Sequence, residues 1–180
     1  MVSVAEPEGP PTARAVVDLL NSRAYAIHPD KLDDPELAFE LLAPFGQDSA
    51  TVPTDRISLV KGIRSALMAA VDIEAGGDPV AAWAAANDVT ADVTFRLDFA
   101  APASARHAQV SGDPVLGGVV LAVSELIGDG VWSRLRVCAN HTCHKVFYDT
   151  TRSRTRRWHS YEVCGNRANV AAYRARNTVG

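Results

Sequence analysis

RVCANHTCHKVFYDTTRSRTRRWHSYEVCGNR, residues 136–167, holds every cysteine of the chain: Cys138, Cys143 and Cys164. An odd, clustered set of thiols in a chain that opens without a secretory signal pattern does not read as a disulfide framework. It reads as a metal site lacking one ligand. His159 completes the pattern C-x4-C-x15-H-x4-C. Two close ligands, a long intervening stretch and two more close ligands suit a structural zinc ion held by four soft or borderline donors. Iron–sulfur chemistry fits three cysteines and a histidine less well. His141, inside the first x4 loop, competes with His159 for the fourth position. His144 follows Cys143 directly and would have to turn back to reach the ion.

The intervening stretch predicts more structure. Val146–Tyr148 reads as a short strand, and Thr151–Arg157 can extend as its partner toward Trp158. Cys164 then opens an Ala-rich helix over 167–176. A knuckle, a hairpin and a helix that supplies the last ligand describe a treble-clef-like zinc finger. A module of this size needs its metal because its apolar core is small.

Charge divides the chain at the same place. Residues 1–130 carry 8 Lys+Arg and 19 Asp+Glu, a net of 8 − 19 = −11. Residues 131–180 carry 10 Lys+Arg and 2 Asp+Glu, a net of 10 − 2 = +8. An acidic body with a basic end points to a polyanionic partner, DNA first. Arg152, Arg154 and Arg156 alternate and would share one strand face. Arg167 and Arg174 would share a helix stripe with the small Ala171. These five arginines are the candidate nucleic-acid contacts. Arg167 also suits bracing of the zinc site, because arginine serves dense hydrogen bonding as well as phosphate contact.

The body reads as mostly helical. Residues 1–11 are a Pro- and Glu-rich arm. Helices are expected from Thr12 to Leu20, from Glu36 to Leu42 behind Asp34-Pro35, from Thr54 or Asp55 to Val71, over Val80–Asn87 behind Asp78-Pro79, and over Val115–Ile127 behind Asp113-Pro114. Gly76-Gly77 is expected to close the longest of them. Val93–Phe99 alternates apolar and polar residues as a half-buried strand does, with Ala105–Val110 as its hairpin partner. The fold class is α+β: a helical N-terminal domain with a small β-hairpin, then the zinc finger. No nucleotide-binding glycine loop, Gly-x-Ser-x-Gly elbow or His-Glu-x-x-His motif occurs, and His28 and His107 stand alone, so no enzyme is expected. The longest apolar run, Val115–Val123, is far below the ~18–20 residues of a membrane span. A cytoplasmic protein without membrane attachment is expected.

The Cys164-Gly165-Asn166-Arg167 tetrapeptide, Phe147-Tyr148-Asp149, Ser153-Arg154, Arg156-Arg157-Trp158 and Tyr173-Arg174-Ala175-Arg176 resemble the CGNR zinc-finger proteins. These carry an N-terminal ABATE domain and are described as stress-induced transcription regulators. Asp18-Leu19-Leu20-Asn21-Ser22 resembles an early motif of that domain. The resemblance is specific over about residues 134–176 and weaker over 12–130. It implies an arm (1–11), an ABATE-like helical domain (12–130) and a CGNR finger (131–180) with one structural Zn2+. It further implies a small bacterial transcription regulator that binds DNA through the finger. The body would act as sensor or dimerisation module, with a homodimer and a small-molecule effector as possible partners. The family's usual third ligand is cysteine in a Trp-Cys-Ser pattern, where this chain has Trp158-His159-Ser160. The swap exchanges a thiolate for a neutral imidazole. It makes ring orientation depend on whatever holds the imidazole's other nitrogen. The rival function is an adaptor whose finger docks an acidic protein.

Overall fold

In the computed structural model, residues 9–25, 28–72 and 77–177 are described, the side chains of 171, 172 and 175–177 aside. The expected arm therefore lies largely outside the described residues.

Aspartate followed by proline starts three helices, because the carboxylate accepts the first free N–H groups and proline needs none. Asp34 accepts from the backbone N–H of Glu36 and Leu37 and opens α2, Pro35–Leu42. Asp78 accepts from Val80 and opens α4, Pro79–Val89. Asp113 accepts from Val115 and Leu116 and opens α5, Pro114–Gly128. Helix α1, Pro11–Leu20, buries Ala13, Val16, Leu19 and Leu20. Helix α3, Thr54–Val71, follows Pro53 without a side-chain cap and buries Val60, Ile63, Ala66, Leu67 and Ala70. It ends at Val71; Gly76, half of the expected stop, lies outside the described residues. Two glycines in α5 permit close approach. A Cβ at Gly118 would lie 2.1 Å from the carbonyl oxygen of Phe45, and one at Gly117 would lie 2.0 Å from Oε1 of Gln109.

Strands β1, Thr94–Ala100, and β2, Ser104–Ser111, pair antiparallel, with Leu97 opposite His107. The alternation expected of a strand is there, yet its apolar side is only partly covered. Phe95 is half-buried, whereas Leu97 is 49% and Phe99 is 79% exposed. The base of the ribbon is anchored: Gln109 Nε2 donates to the carbonyls of Ser111, Gly112 and Asp113. The outer half projects beyond the helices.

The second ribbon corrects the sequence reading. Val146–Tyr148 forms β4, but its partner is β3, Leu135–Val137, and not residues 151–157. The reason is the faces. Leu135 and Val146 are buried in the main core, with Val137 and Tyr148 packed against it, while Phe147 and Cys138 face a separate small core. Residues 151–157 carry too little apolar surface to compete for that place. The main apolar core thus continues past residue 130 into the cysteine-bearing segment. Helix α6, Asn166–Asn177, closes the described chain.

One buried ion pair ties α3 to the segment after α1. Arg64 is 5% exposed. Its Nη1 donates to Asp30 Oδ1 at 2.8 Å and to Ser22 Oγ at 2.7 Å, and its Nη2 to Asp30 Oδ2. Burial alone would raise the Asp30 carboxyl, but the Arg64 hydrogen bonds, the Leu32 N–H and the charges of Arg64 and Lys61 outweigh it and hold the pKa below its ordinary value. A depressed carboxylate contributes stability above the ordinary carboxylate range and loses it as pH falls through the folded value. Asp30→Ala should cost about 3–5 kcal/mol at neutral pH, since it strands a buried guanidinium. Urea unfolding checks this, and the wild-type advantage should shrink on acidification below about pH 4. An unchanged midpoint at neutral pH would count against the pair.

Candidate metal centre

Three of the four ligand positions are set by short backbone devices. Cys138 follows β3, and its N–H donates to the carbonyl of Lys145 just before β4. The knuckle between them is closed by Cys143 N–H donating to the Asn140 carbonyl. Asn140 is buried, and its Oδ1 accepts from the N–H and the hydroxyl of Thr142. Cys164 lies in a wide turn, Tyr161–Gly165, immediately before α6. Ser160 starts that turn: its Oγ accepts from Val163 N–H and its carbonyl from Cys164 N–H.

Gly165 lets the Tyr161 ring lie close against the turn, since a Cβ there would stand 2.7 Å from the ring. Asn166 donates through Nδ2 to the Glu162 carbonyl and locks the turn onto α6. The Cys-Gly-Asn part of the tetrapeptide is thereby explained residue by residue. Arg167 is exposed on the first turn of α6.

His159 comes from the loop between β4 and α6, whose course is set by a buried carboxylate. Asp149 is 0% exposed. Its Oδ1 accepts from Thr151 N–H and Oγ1, and its Oδ2 accepts from Arg156 N–H. Burial would raise its pKa, yet the Thr151 and Arg156 donors and the charge of Arg136 hold it below the ordinary value. Asp149 is the organising residue that the spacing of ligands did not single out. Its position in the Phe-Tyr-Asp motif was the available signal.

The ligand atoms of Cys138, Cys143, His159 and Cys164 all lie within 4.8 Å of one another. Nδ1 of His159 stands 3.3 Å from Cys143 Sγ and 3.6 Å from Cys164 Sγ. Tetrahedral zinc with bonds of about 2.0–2.3 Å sets its donors roughly 3.5–3.8 Å apart. The set therefore fits one zinc ion, with histidine ligating through Nδ1. Burial first, then Cys164 and Cys138, push the Cys143 thiol up to about 11, against the lowering effect of the Lys145 N–H. A divalent ion bound there would offset that rise at Cys143, and a closed four-ligand set is the kind that holds a structural zinc.

Of the competing histidines, His159 is the one placed with the three sulfurs. His141 is exposed and outside the cluster. His144 has φ 49°, and its ring meets Tyr25 edge-on at 6.2 Å.

The arginines separate into two sets. Arg134 Nη1 donates to the carbonyls of Asp149 and Thr151, and Arg136 Nη1 to that of Arg154. Arg156, expected on a strand face beside Arg152 and Arg154, is half-buried. It donates to the carbonyls of Trp158 and His159 and lies over the Phe147 ring at 5.2 Å. No strand aligns Arg152, Arg154 and Arg156. The 151–154 segment turns, and Arg154 has φ 55°. Arg152, Arg154, Arg157, Arg167 and Arg174 are exposed. The expected contribution of Ala171 to the helix stripe lies outside the described side chains.

The body grips the knuckle through three side chains in five residues. Asn21 Nδ2 donates to Val146 O at 2.8 Å, and its Oδ1 accepts from Val146 N–H at 2.9 Å, so the amide serves as one more strand beside β4. Arg23 Nη2 donates to the His144 carbonyl and the Tyr25 hydroxyl to the Thr142 carbonyl. Sequence spacing gave no sign of this clamp, because a side-chain amide pairing with a distant strand leaves no periodicity.

Two outcomes are expected. Native protein should contain about one zinc per chain by elemental analysis. Cys164→Ser should lose it, His159→Cys should keep it, and His141→Ala should match wild type; the opposite ranking of the two histidines would refute the ligand set. Asn21→Leu removes both partners of Val146 and should lower unfolding stability by about 1–3 kcal/mol. A thermal melt read at near-ultraviolet wavelengths tests it.

No helix among the described residues is long and apolar enough to cross a membrane. No curated protein matches the chain. Residues 134–177, the segment carrying all four candidate ligands, match the model of the CGNR zinc finger family.

Proposed function

We propose that the chain is a zinc-dependent DNA-binding transcription regulator, with residues 12–130 as an ABATE-like sensor or dimerisation body acting in a cytoplasmic stress response. It is a binding protein and not an enzyme. The supporting observation is the sorting of arginines. Arg134, Arg136 and Arg156 are spent on backbone carbonyls around the centre, while Arg152, Arg154, Arg157, Arg167 and Arg174 face solvent on the same module. Exposed guanidinium groups around a metal-stiffened fold suit a phosphate backbone, and base reading would fall to α6. The ABATE assignment and the regulator role rest on the resemblance of Asp18–Ser22 and of the finger motif.

The adaptor reading has its own observation. Val163, Val170 and Tyr173 are 47%, 48% and 62% exposed around Arg167 and Arg174. Apolar side chains interleaved with arginine suit an acidic protein surface as well.

Salt decides. With about four phosphates neutralised, log–log affinity of the full-length zinc-loaded protein for duplex DNA should fall with a slope of about −4. Arg154→Ala should weaken all sequences alike and flatten the slope by about one. Arg156→Ala should instead destabilise the finger. Absence of any duplex binding at low salt would remove the DNA reading in favour of the adaptor.

A further inference from the structure

The β1–β2 ribbon forms a two-stranded sheet, so each strand has an outer edge that no strand among the described residues covers. A two-stranded ribbon is marginal alone and gains from further strands. A long, exposed, apolar edge is a template for another chain. Such edges are usually blunted by a lysine, a proline or a bulge in mid-strand. The single register shift lies at the base, between Thr94 and Phe95, and leaves Phe95–Ala100 regular.

The sequence of β1 says which chain would fit. Phe95-Arg96-Leu97-Asp98-Phe99 reads the same from either end in size and polarity, and its two charges are opposite. An antiparallel copy centred on Leu97 sets Leu97 against Leu97, Phe95 against Phe99, and Arg96 against Asp98, each of the last two pairs occurring twice. Period-two alternation puts both charged pairs on one face and all apolar pairs on the other. The exposures suit this. Arg96 is 70% and Asp98 29% exposed as side chains, and Leu97 and Phe99 remain uncovered on the opposite face. Arg96 Nε already binds Asp98 Oδ1 within the strand at 2.9 Å, so the two charges lie on one side of the ribbon. Strand β2 lacks such symmetry: around its centre, Arg106 would meet Gln109.

We infer that two copies of this chain associate through antiparallel β1–β1 pairing about Leu97, joining two ribbons into one four-stranded sheet. The interaction is modest. A seven-residue edge is only about 23 Å long. Its burial falls short of the ~1,200 Å² of a tight interface, which places the dimer in a concentration-dependent range. The inference does not depend on what the finger binds.

Sedimentation velocity of the full-length zinc-loaded protein, from about 1 to 200 μM, tests it. Wild type should shift from monomer to dimer across that range. Arg96→Asp sets like charges opposite one another at both pairs and should raise the dissociation constant about tenfold or more, as should Asp98→Arg. The double exchange Arg96→Asp/Asp98→Arg restores opposite charges and should restore the dimer. An equimolar mixture of the two single variants should associate more strongly than either alone. Asp98 stands opposite Arg106 of β2, so Arg106→Asp accompanies Asp98→Arg wherever it is made; all positions changed are then on the projecting ribbon, and circular dichroism should match wild type. Monomeric wild type throughout, single variants that dimerise as wild type does, or a double exchange that stays monomeric would each overturn the pairing.

Discussion

The three-residue ribbon β3–β4 belongs to two cores at once, and the C-terminal half of the molecule depends on that. Side chains on a strand alternate, so one short ribbon can serve two interiors. Leu135, Val137, Val146 and Tyr148 fill the body's core, while Phe147 and Cys138 face the metal centre. A one-residue slip would put Phe147 in the helical core and remove Cys138 from its partners. Register is therefore fixed from both sides: by apolar burial in the body and by ligand placement in the centre. Asn21 adds a third fixture, since its amide pairs with one specific residue, Val146.

The second constraint is the burial of Asp149. A fully buried carboxylate is tolerated only when it is well supplied with donors. Here one oxygen takes two from Thr151 and the other takes the N–H of Arg156. That demand turns the chain after β4, and Arg134, Arg136 and Arg156 donate to carbonyls of the segment that follows. Without Arg134 and Arg156 the part-buried carbonyls of Asp149, Thr151 and Trp158 would lose these donors. The basic character of the segment thus has two origins. Part is internal hydrogen bonding for irregular backbone, and part is a solvent-facing surface open to an anionic partner.

These causes explain what could be read in the sequence and what could not. The Asp-Pro starts of α2, α4 and α5 were legible because capping is local chemistry. The ligand set was legible because tetrahedral coordination imposes spacing, and the choice of His159 over His141 followed the same rule. The partner of β4 was missed because Leu135–Val137 is too short to show a period, whereas the arginine alternation of 152–156 imitates one. In β1 the alternation was real, but alternation reports two different faces and does not say what covers the apolar one. The exposures of Leu97 and Phe99 supply that missing half.

Body and finger are consequently not separable in the way their charges suggest. The grip of Asn21, Arg23 and Tyr25 on the knuckle is made entirely to backbone atoms of Thr142, His144 and Val146, on either side of Cys143 and at the start of β4. Backbone contacts are indifferent to side-chain identity in the knuckle, so the clamp constrains position and not composition. A displacement of the segment after α1 must either break these bonds or carry the knuckle with it. Breaking them leaves the buried Val146 N–H unpaired, at about 1–3 kcal/mol. Carrying the knuckle moves Cys143 away from His159 Nδ1, which now stands 3.3 Å from its sulfur. Either way, the free energy of the body's first helix and that of the metal centre are coupled through residues in direct contact, which is the condition under which perturbations cease to add.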